Sequence, residues 1–138
     1  MAPEGTKKPS VLVVEDNAMN KVLVKEVLNM HGYFVIEAST GREAVETALR
    51  EMPDIVLMDI NLPEMDGVAA MKLIKGSKTL KQMPVVALTA SAMQGDREKI
   101  MAEGFDGYVP KPIEFKVLIR TLEEGLKVHG KGREEGIG

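Results

Sequence analysis

The chain has 138 residues, enough for one domain with a sizeable core, and its 44% hydrophobic and 28% charged residues are ordinary for a globular protein. A formal net charge of −3 and an aromatic content of 4% argue against a nucleic-acid-binding protein. The chain lacks cysteine, a signal peptide and any apolar run long enough to span a membrane, so we expect a cytoplasmic protein.

Short apolar runs alternate with amphipathic helical stripes along the first half of the chain. Residues 1–9 are polar and contain two prolines, and we expect them to form a disordered lead. In chain order, the next elements are strand Ser10–Glu15, helix Asn17–His31, strand Tyr33–Ala38, helix Gly41–Met52 and strand Asp54–Asp59. The first helix carries a predicted apolar stripe made of Met19, Val22, Leu23, Val27, Leu28 and Met30.

The same alternation continues in the second half. Its predicted elements are helix Val68–Lys75, strand Pro84–Leu88, helix Ser91–Glu103, strand Asp106–Pro110 and helix Ile113–Lys127. A flexible tail rich in glycine and charge is expected over residues 130–138. The pattern of five strands and five helices predicts one doubly wound α/β domain over residues 10–129, built on a parallel sheet.

Polar side chains follow four of the predicted strands at the point where each strand ends. Glu15 and Asp16 end the first strand, and Asp59 ends the third. Thr89 follows the fourth strand and Lys111 follows the fifth. Because the carboxyl ends of parallel strands meet at one edge of the sheet, we expect these side chains to converge on one crevice.

Three carboxylates in one crevice predict a site for a hard cation. Mg²⁺ prefers oxygen ligands, and Glu15, Asp16 and Asp59 would provide them together with the backbone carbonyl of Asn61. Without a cation, the three charges would repel one another. The alternative for the Glu15-Asp16 pair is a solvated turn, in which Asp16 or Asn17 caps the following helix.

Asp59 is the candidate nucleophile, because a carboxylate can attack a phosphoryl group and hold it as an acyl phosphate. Lys111 would offer a cation to the phosphoryl oxygens, Thr89 would offer a hydroxyl, and the small Ala90 would leave room for the group. Taken alone, Lys111 could equally be a surface charge, and Thr89 could be an ordinary strand residue.

Four segments together resemble the receiver domain of two-component response regulators over residues 10–128. They are VVEDN, LMDINLPEMDG, PVVALTASA and YVPKPI. The resemblance fits a single-domain regulator of the chemotaxis or cell-cycle type, or the receiver of a hybrid histidine kinase. It implies a flavodoxin-like (β/α)5 fold with strand order 2-1-3-4-5. It also implies that Asp59 accepts a phosphoryl group from a histidine kinase or a histidine phosphotransfer protein, with Mg²⁺ as cofactor.

The resemblance further implies a switch and an output surface. Thr89 and Tyr108 would move on phosphorylation, Lys111-Pro112 would form a cis peptide bond, and Ala90 and Pro112 would shape the site. A downstream protein would bind the face built from the fourth helix, the fifth strand and the fifth helix. The domain would be a monomer, with dimerisation on phosphorylation left open. It would promote its own phosphorylation and dephosphorylation without turning over an external substrate.

Three other classes of protein share parts of this pattern. A phosphohydrolase of the haloacid dehalogenase type needs a second acid two residues after the nucleophile, where this chain has Asn61. A nucleotide or flavin binder needs a glycine-rich loop after the first strand, and VEDNAMNK contains no glycine. A receiver-like module used only for docking remains open, although the presence of Asp59, Thr89 and Lys111 weighs against it.

Overall fold

The structure is a computed structural model that describes residues 8–90 and 94–137. Its strands are β1 Ser10–Val14, β2 Phe34–Ala38, β3 Ile55–Asp59, β4 Val85–Thr89 and β5 Gly107–Pro110. Its helices are α1 Ala18–Met30, α2 Gly41–Glu51, α3 Gly67–Gly76, α4 Gln94–Glu103 and α5 Phe115–Ile137. The strands pair in parallel in the order β2-β1-β3-β4-β5, which confirms the predicted fold class and topology.

The central strands are buried on both faces of the sheet. Every residue of β3 and β4 is buried, and so are the last four residues of β1. Hydrophobic clusters cover the two faces, one containing Val56 and Met58 and the other containing Ile55 and Leu57. This double burial explains why the strands are continuous apolar runs rather than alternating ones.

Three of the helices, α1, α2 and α3, begin at side-chain caps that lie one residue outside them. Asn17, Thr40 and Asp66 are in extended conformation, and each accepts a hydrogen bond from a backbone N–H in the first turn. Gly32 follows α1 with a φ of +85°, and Gly104 follows α4 with a φ of +122°. The predicted bounds differ from the observed ones mostly by one or two residues. In α1 the difference arises because the caps Asn17 and His31 were counted as helix.

The predicted apolar stripe of α1 is only partly correct. The buried positions of this helix are Val24, Val27 and Leu28, which face the sheet. Met19 is 72% exposed and Met30 is 83% exposed, and Val22 and Leu23 are exposed as well. The helix carries more apolar residues than one face can bury, so the surplus points into solvent.

The last helix extends beyond its predicted end at Lys127. The helical backbone of α5 continues to Ile137, and no proline interrupts the sequence there. The mobility expected for residues 130–138 remains a prediction. Residues 1–7 and 91–93 lie outside the described part of the chain, and so do most of the expected disordered lead and the expected start of the fourth helix at Ser91.

None of the helices in the described ranges combines the length and the apolar character needed to cross a bilayer.

Candidate functional site

The acidic side chains predicted to converge do meet at the carboxyl edge of the sheet. Glu15 follows β1 and is fully buried, Asp59 ends β3 with 2% of its surface exposed, and Asp16 is exposed. One carboxylate oxygen from each of these three residues lies within 4.8 Å of the other two. The crossover connections of the parallel sheet place β1 and β3 side by side, which brings distant parts of the sequence into this cluster.

Lys111 is the cation of the site. Its Nζ donates a hydrogen bond to Asp59 Oδ2 at 2.7 Å and forms an ion pair with Glu15 Oε1 at 3.1 Å. The backbone of Lys111 is held in place because its N–H donates to the carbonyl of Thr89 at 2.8 Å. One ammonium group thus bridges two buried carboxylates, and the structure places Lys111 in the predicted crevice.

The donor set fits a divalent cation. Three carboxylates and one ammonium leave a formal charge of −2 in the cluster, and carboxylate oxygens are the ligands that Mg²⁺ prefers. Glu15, Asp16 and Asp59 would hold such an ion. Asn61 lies two residues after Asp59, and its backbone N–H donates to Asp59 Oδ1 at 2.9 Å. Its carbonyl remains a predicted fourth ligand.

The Glu15 carboxylate has two further hydrogen-bond partners that sequence analysis did not find. The backbone N–H of Asn17 donates to Oε2 at 3.2 Å, and the Asn20 side-chain amide donates to Oε1 at 3.3 Å. The position of Asn20, three residues after the cap Asn17, is the signal that was present in the sequence. A side chain at that position in the first turn lies near the end of the preceding strand.

A tight loop fixes Asp59 on the other side. Gly67, the first residue of α3, donates its N–H to the carbonyl of Ile60 at 2.8 Å. A Cβ at Gly67 would lie only 2.2 Å from the carbonyl oxygen of Asp59. Within this loop, Glu64 has a φ of +66°, a backbone conformation that L-residues seldom adopt. The loop therefore packs directly against the backbone of the candidate nucleophile.

The predicted switch residues lie on neighbouring strands. Thr89 is 2% exposed at the end of β4, beside a cavity of about 200 Å³ that α4 also lines. Tyr108 on β5 pairs with Ala87 and is half-buried, and the guanidinium of Arg97 lies 5.7 Å from its ring centre. Ala90 and Pro112 are both exposed, and the Lys111-Pro112 bond is cis as expected.

The environment shifts the pKa values of two groups. Burial raises the pKa of Glu15, and the hydrogen bond and charge of Asp59 raise it further. Burial by itself lowers the pKa of Lys111, but its hydrogen bonds and charge attraction to Asp59 and Glu15 outweigh burial and raise it. Lys111 therefore stays charged, while the ionised form of Glu15 is destabilised without a further cation.

Glu15→Gln should stabilise the protein in EDTA at pH 7. The folded-state pKa of Glu15 lies above its ordinary value of 4.5, so the stability it provides is complete below pH 4.5 and is lost as the pH rises through the folded-state pKa. A neutral glutamine removes this loss and can donate to Asp59. We expect the melting temperature in EDTA at pH 7 to rise above that of the wild type. Scanning calorimetry at several pH values measures this.

The control for this variant is Glu26→Gln, which changes an exposed carboxylate on α1. It should leave the melting temperature in EDTA at pH 7, and the gain in melting temperature on adding Mg²⁺, as they are in the wild type. In the Glu15→Gln protein the pH profile of the melting temperature should flatten, and the gain in melting temperature on adding Mg²⁺ should shrink. A lower melting temperature with an unchanged pH profile would contradict the account of Glu15.

Comparison with known proteins supports a single family. The family model described as the response regulator receiver domain matches residues 11–123. Among curated proteins, the polar-differentiation response regulator DivK of Brucella ovis is 40% identical over 117 residues, covering 85% of this chain and 95% of DivK.

Solved structures give the same result. The receiver domain of a sensor histidine kinase from Pseudomonas aeruginosa PAO1, with a magnesium ion coordinated in its active-site cleft, superposes with a TM-score of 0.80 at 36% identity, covering 87% of this chain and 98% of that one. The chemotaxis response regulator CheY4 of Vibrio cholerae gives a TM-score of 0.81 at 29% identity, covering 86% and 99%. The chain therefore belongs to the response regulator receiver family and acts as a phosphoacceptor in two-component signalling.

Proposed function

We propose that Asp59 is the phosphoacceptor and that its donor is the phosphohistidine of a histidine kinase or a histidine phosphotransfer protein. The observation that carries this proposal is the Asp59 carboxylate itself, which is buried at the end of a central strand with the Lys111 ammonium 2.7 Å away. In the transfer, an Asp59 oxygen bonds to phosphorus while the bond from phosphorus to the imidazole nitrogen breaks. The products are an acyl phosphate and a histidine that takes up a proton.

Around the acceptor, each residue has a separate task. Mg²⁺, held by Glu15, Asp16, Asp59 and the Asn61 carbonyl, would supply positive charge to the phosphoryl oxygens. The Lys111 ammonium is proposed to pair with one of these oxygens, and the Thr89 hydroxyl to donate to another.

We propose that the signal leaves through the face formed by α4, β5 and α5. Donation from Thr89 to the phosphoryl group would draw its side chain toward Asp59, and Tyr108 would then turn inward. This surface includes the groove lined by Arg97, Tyr108 and Arg120. Moving such a switch from 1:99 to 99:1 requires a preference of about 5.5 kcal/mol for the active state. A downstream protein that binds only the active state would bind more of the chain after phosphorylation.

We propose that the chain is a signalling protein rather than a turnover enzyme. We propose a monomer that acts on no external substrate, and a cytoplasmic location, because the ATP from which the donor forms its phosphohistidine is there. The family match leaves no support for a haloacid dehalogenase or a flavin protein. The remaining alternative is a receiver that binds partners without being phosphorylated. An experiment must distinguish this alternative from a phosphoacceptor.

Incubation with acetyl phosphate and Mg²⁺, followed by intact-mass spectrometry, tests the proposal. The wild-type chain should gain the mass of one phosphoryl group, because a small donor can reach the same carboxylate. With EDTA in place of Mg²⁺, the gain should disappear. A chain that is folded and binds Mg²⁺ but gains no phosphoryl group would contradict the proposal and favour the docking module.

A further inference from the structure

We infer that Asn20 is a positioning residue for the metal site, and this inference rests on the proposed magnesium site. Its side-chain amide holds the Glu15 carboxylate in the orientation in which that group can serve as a ligand. Asn20 is half-buried in the first turn of α1, and its amide nitrogen lies 3.3 Å from Glu15 Oε1. Among the described residues, the Asn20 amide forms no hydrogen bond with Asp16 or Asp59.

Glu15 needs this support because of its length. A glutamate reaches the cluster through one more methylene than an aspartate, and the added torsion gives the carboxylate more orientations. Its two oxygens are fixed by different donors: Oε2 accepts from the backbone of Asn17 at 3.2 Å, and Oε1 accepts from Asn20 and Lys111. Together these donors select one orientation of the carboxylate.

Among the described residues, two side chains donate to Oε1, and of these Asn20 alone donates to Glu15 and to no other carboxylate of the cluster. Lys111 is shared, because the same ammonium donates to Asp59 at 2.7 Å. When Lys111 pairs with a phosphoryl group on Asp59, Glu15 loses that donor. The amide of Asn20 then remains to hold Oε1. Because an amide is neutral, it orients the carboxylate without reducing the negative charge available to a cation.

The position of Asn20 is itself fixed. Its backbone N–H donates to the Asn17 side chain at 2.9 Å in the cap of α1. The cap therefore sets the place from which the Asn20 amide reaches back to the strand end. Groups that hydrogen-bond a metal ligand typically contribute 10–100-fold to metal affinity. Because the hydrogen bond from Asn20 is long, we expect about 10-fold, the lower end of that range.

Mn²⁺ titration of the full chain, followed by electron paramagnetic resonance, tests the inference. Asn20→Ala should weaken Mn²⁺ binding about 10-fold. Its circular dichroism spectrum in EDTA should match that of the wild type, because alanine is a good helix former. The matched control Asn29→Ala, an exposed position in the last turn of the same helix, should bind Mn²⁺ like the wild type.

A pair of double variants separates positioning from a general structural effect. In a Glu15→Asp background the carboxylate is too short to reach the amide, so adding Asn20→Ala should have no further effect. Glu15→Asp shortens one side chain by a methylene, and Asn20→Gln lengthens the other by a methylene. The double variant should therefore recover part of the Mn²⁺ affinity that Glu15→Asp loses.

The outcomes distinguish a failure of the proposed metal site from a failure of the role of Asn20. If the wild type binds no Mn²⁺, the proposed metal site fails and this inference fails with it. If the wild type binds and Asn20→Ala binds equally well, only the role of Asn20 is wrong. An equal loss from Asn20→Ala in the wild-type and Glu15→Asp backgrounds also overturns it, because the effect would not pass through Glu15.

Discussion

The Asp59→Asn protein is expected to incorporate no phosphoryl group from acetyl phosphate, with or without Mg²⁺. An amide oxygen is too weak a nucleophile to form the acyl phosphate. The substitution keeps the shape of the side chain. Its single amide oxygen can keep one of the two hydrogen bonds that the carboxylate accepts, which run from Lys111 Nζ to Oδ2 at 2.7 Å and from the Asn61 N–H to Oδ1 at 2.9 Å. The loss should therefore be complete while the chain stays folded. Intact-mass spectrometry and circular dichroism on the same sample measure both properties.

Asp66→Asn is the matched control, since it makes the same chemical change seven residues further along the chain. Asp66 caps α3 by accepting from the N–H of Ala69 at 2.8 Å, and asparagine caps helices equally well. This variant should be phosphorylated like the wild type. Phosphorylation that persists in Asp59→Asn would mean that another residue is the acceptor. A loss in both variants would point to the loop rather than to the carboxylate.

Gly67→Ala is expected to destabilise the domain by about 3 kcal/mol, at the upper end for inserting a methyl group into a packed site. The new Cβ would lie 2.2 Å from the Asp59 carbonyl oxygen and 2.8 Å from the Ile60 Cα. Both neighbours are backbone atoms of β3 and the loop after it, so no flexible side chain can move aside. Urea unfolding followed by circular dichroism gives the change in free energy of unfolding.

Gly76→Ala provides the comparison at the other end of α3. A Cβ there would meet no atom within 4 Å, so the change should be neutral or stabilise the domain by up to about 1 kcal/mol. If Gly67→Ala unfolds at the same urea concentration as Gly76→Ala, Gly67 does not pack tightly against the Asp59 backbone. An equal and large loss in both would mean that α3 tolerates no alanine substitution.

Much of the fold was predictable because the sequence signals are local. Strands buried on both faces are continuous apolar runs, and the first four residues of β3 and of β4 form such runs. Polar residues at strand ends follow from the parallel topology, so the approach of Glu15 to Asp59 was predictable too. The strand order itself came from the resemblance, because periodicity alone does not determine which strands are neighbours.

Other features depend on tertiary packing that no local pattern encodes. The stripe of α1 contains more apolar residues than its contact with the sheet can cover, and only the structure shows that Val24 is buried while Met19 is exposed. The bridging of two carboxylates by Lys111 depends on how closely β1, β3 and the end of β5 approach one another. The hydrogen bond from Asn20 depends on a side-chain orientation that spacing only suggests.

The most direct test of the central claim is to locate the phosphoryl group. Borohydride reduces an aspartyl phosphate to homoserine, and the tryptic peptide of residues 51–72 contains Asp54, Asp59 and Asp66 together. After treatment with acetyl phosphate and Mg²⁺, fragmentation of this peptide should show homoserine at position 59 and unchanged aspartate at the other two. Homoserine at position 54 or 66, or an unmodified peptide from a phosphorylated chain, would contradict the assignment of Asp59.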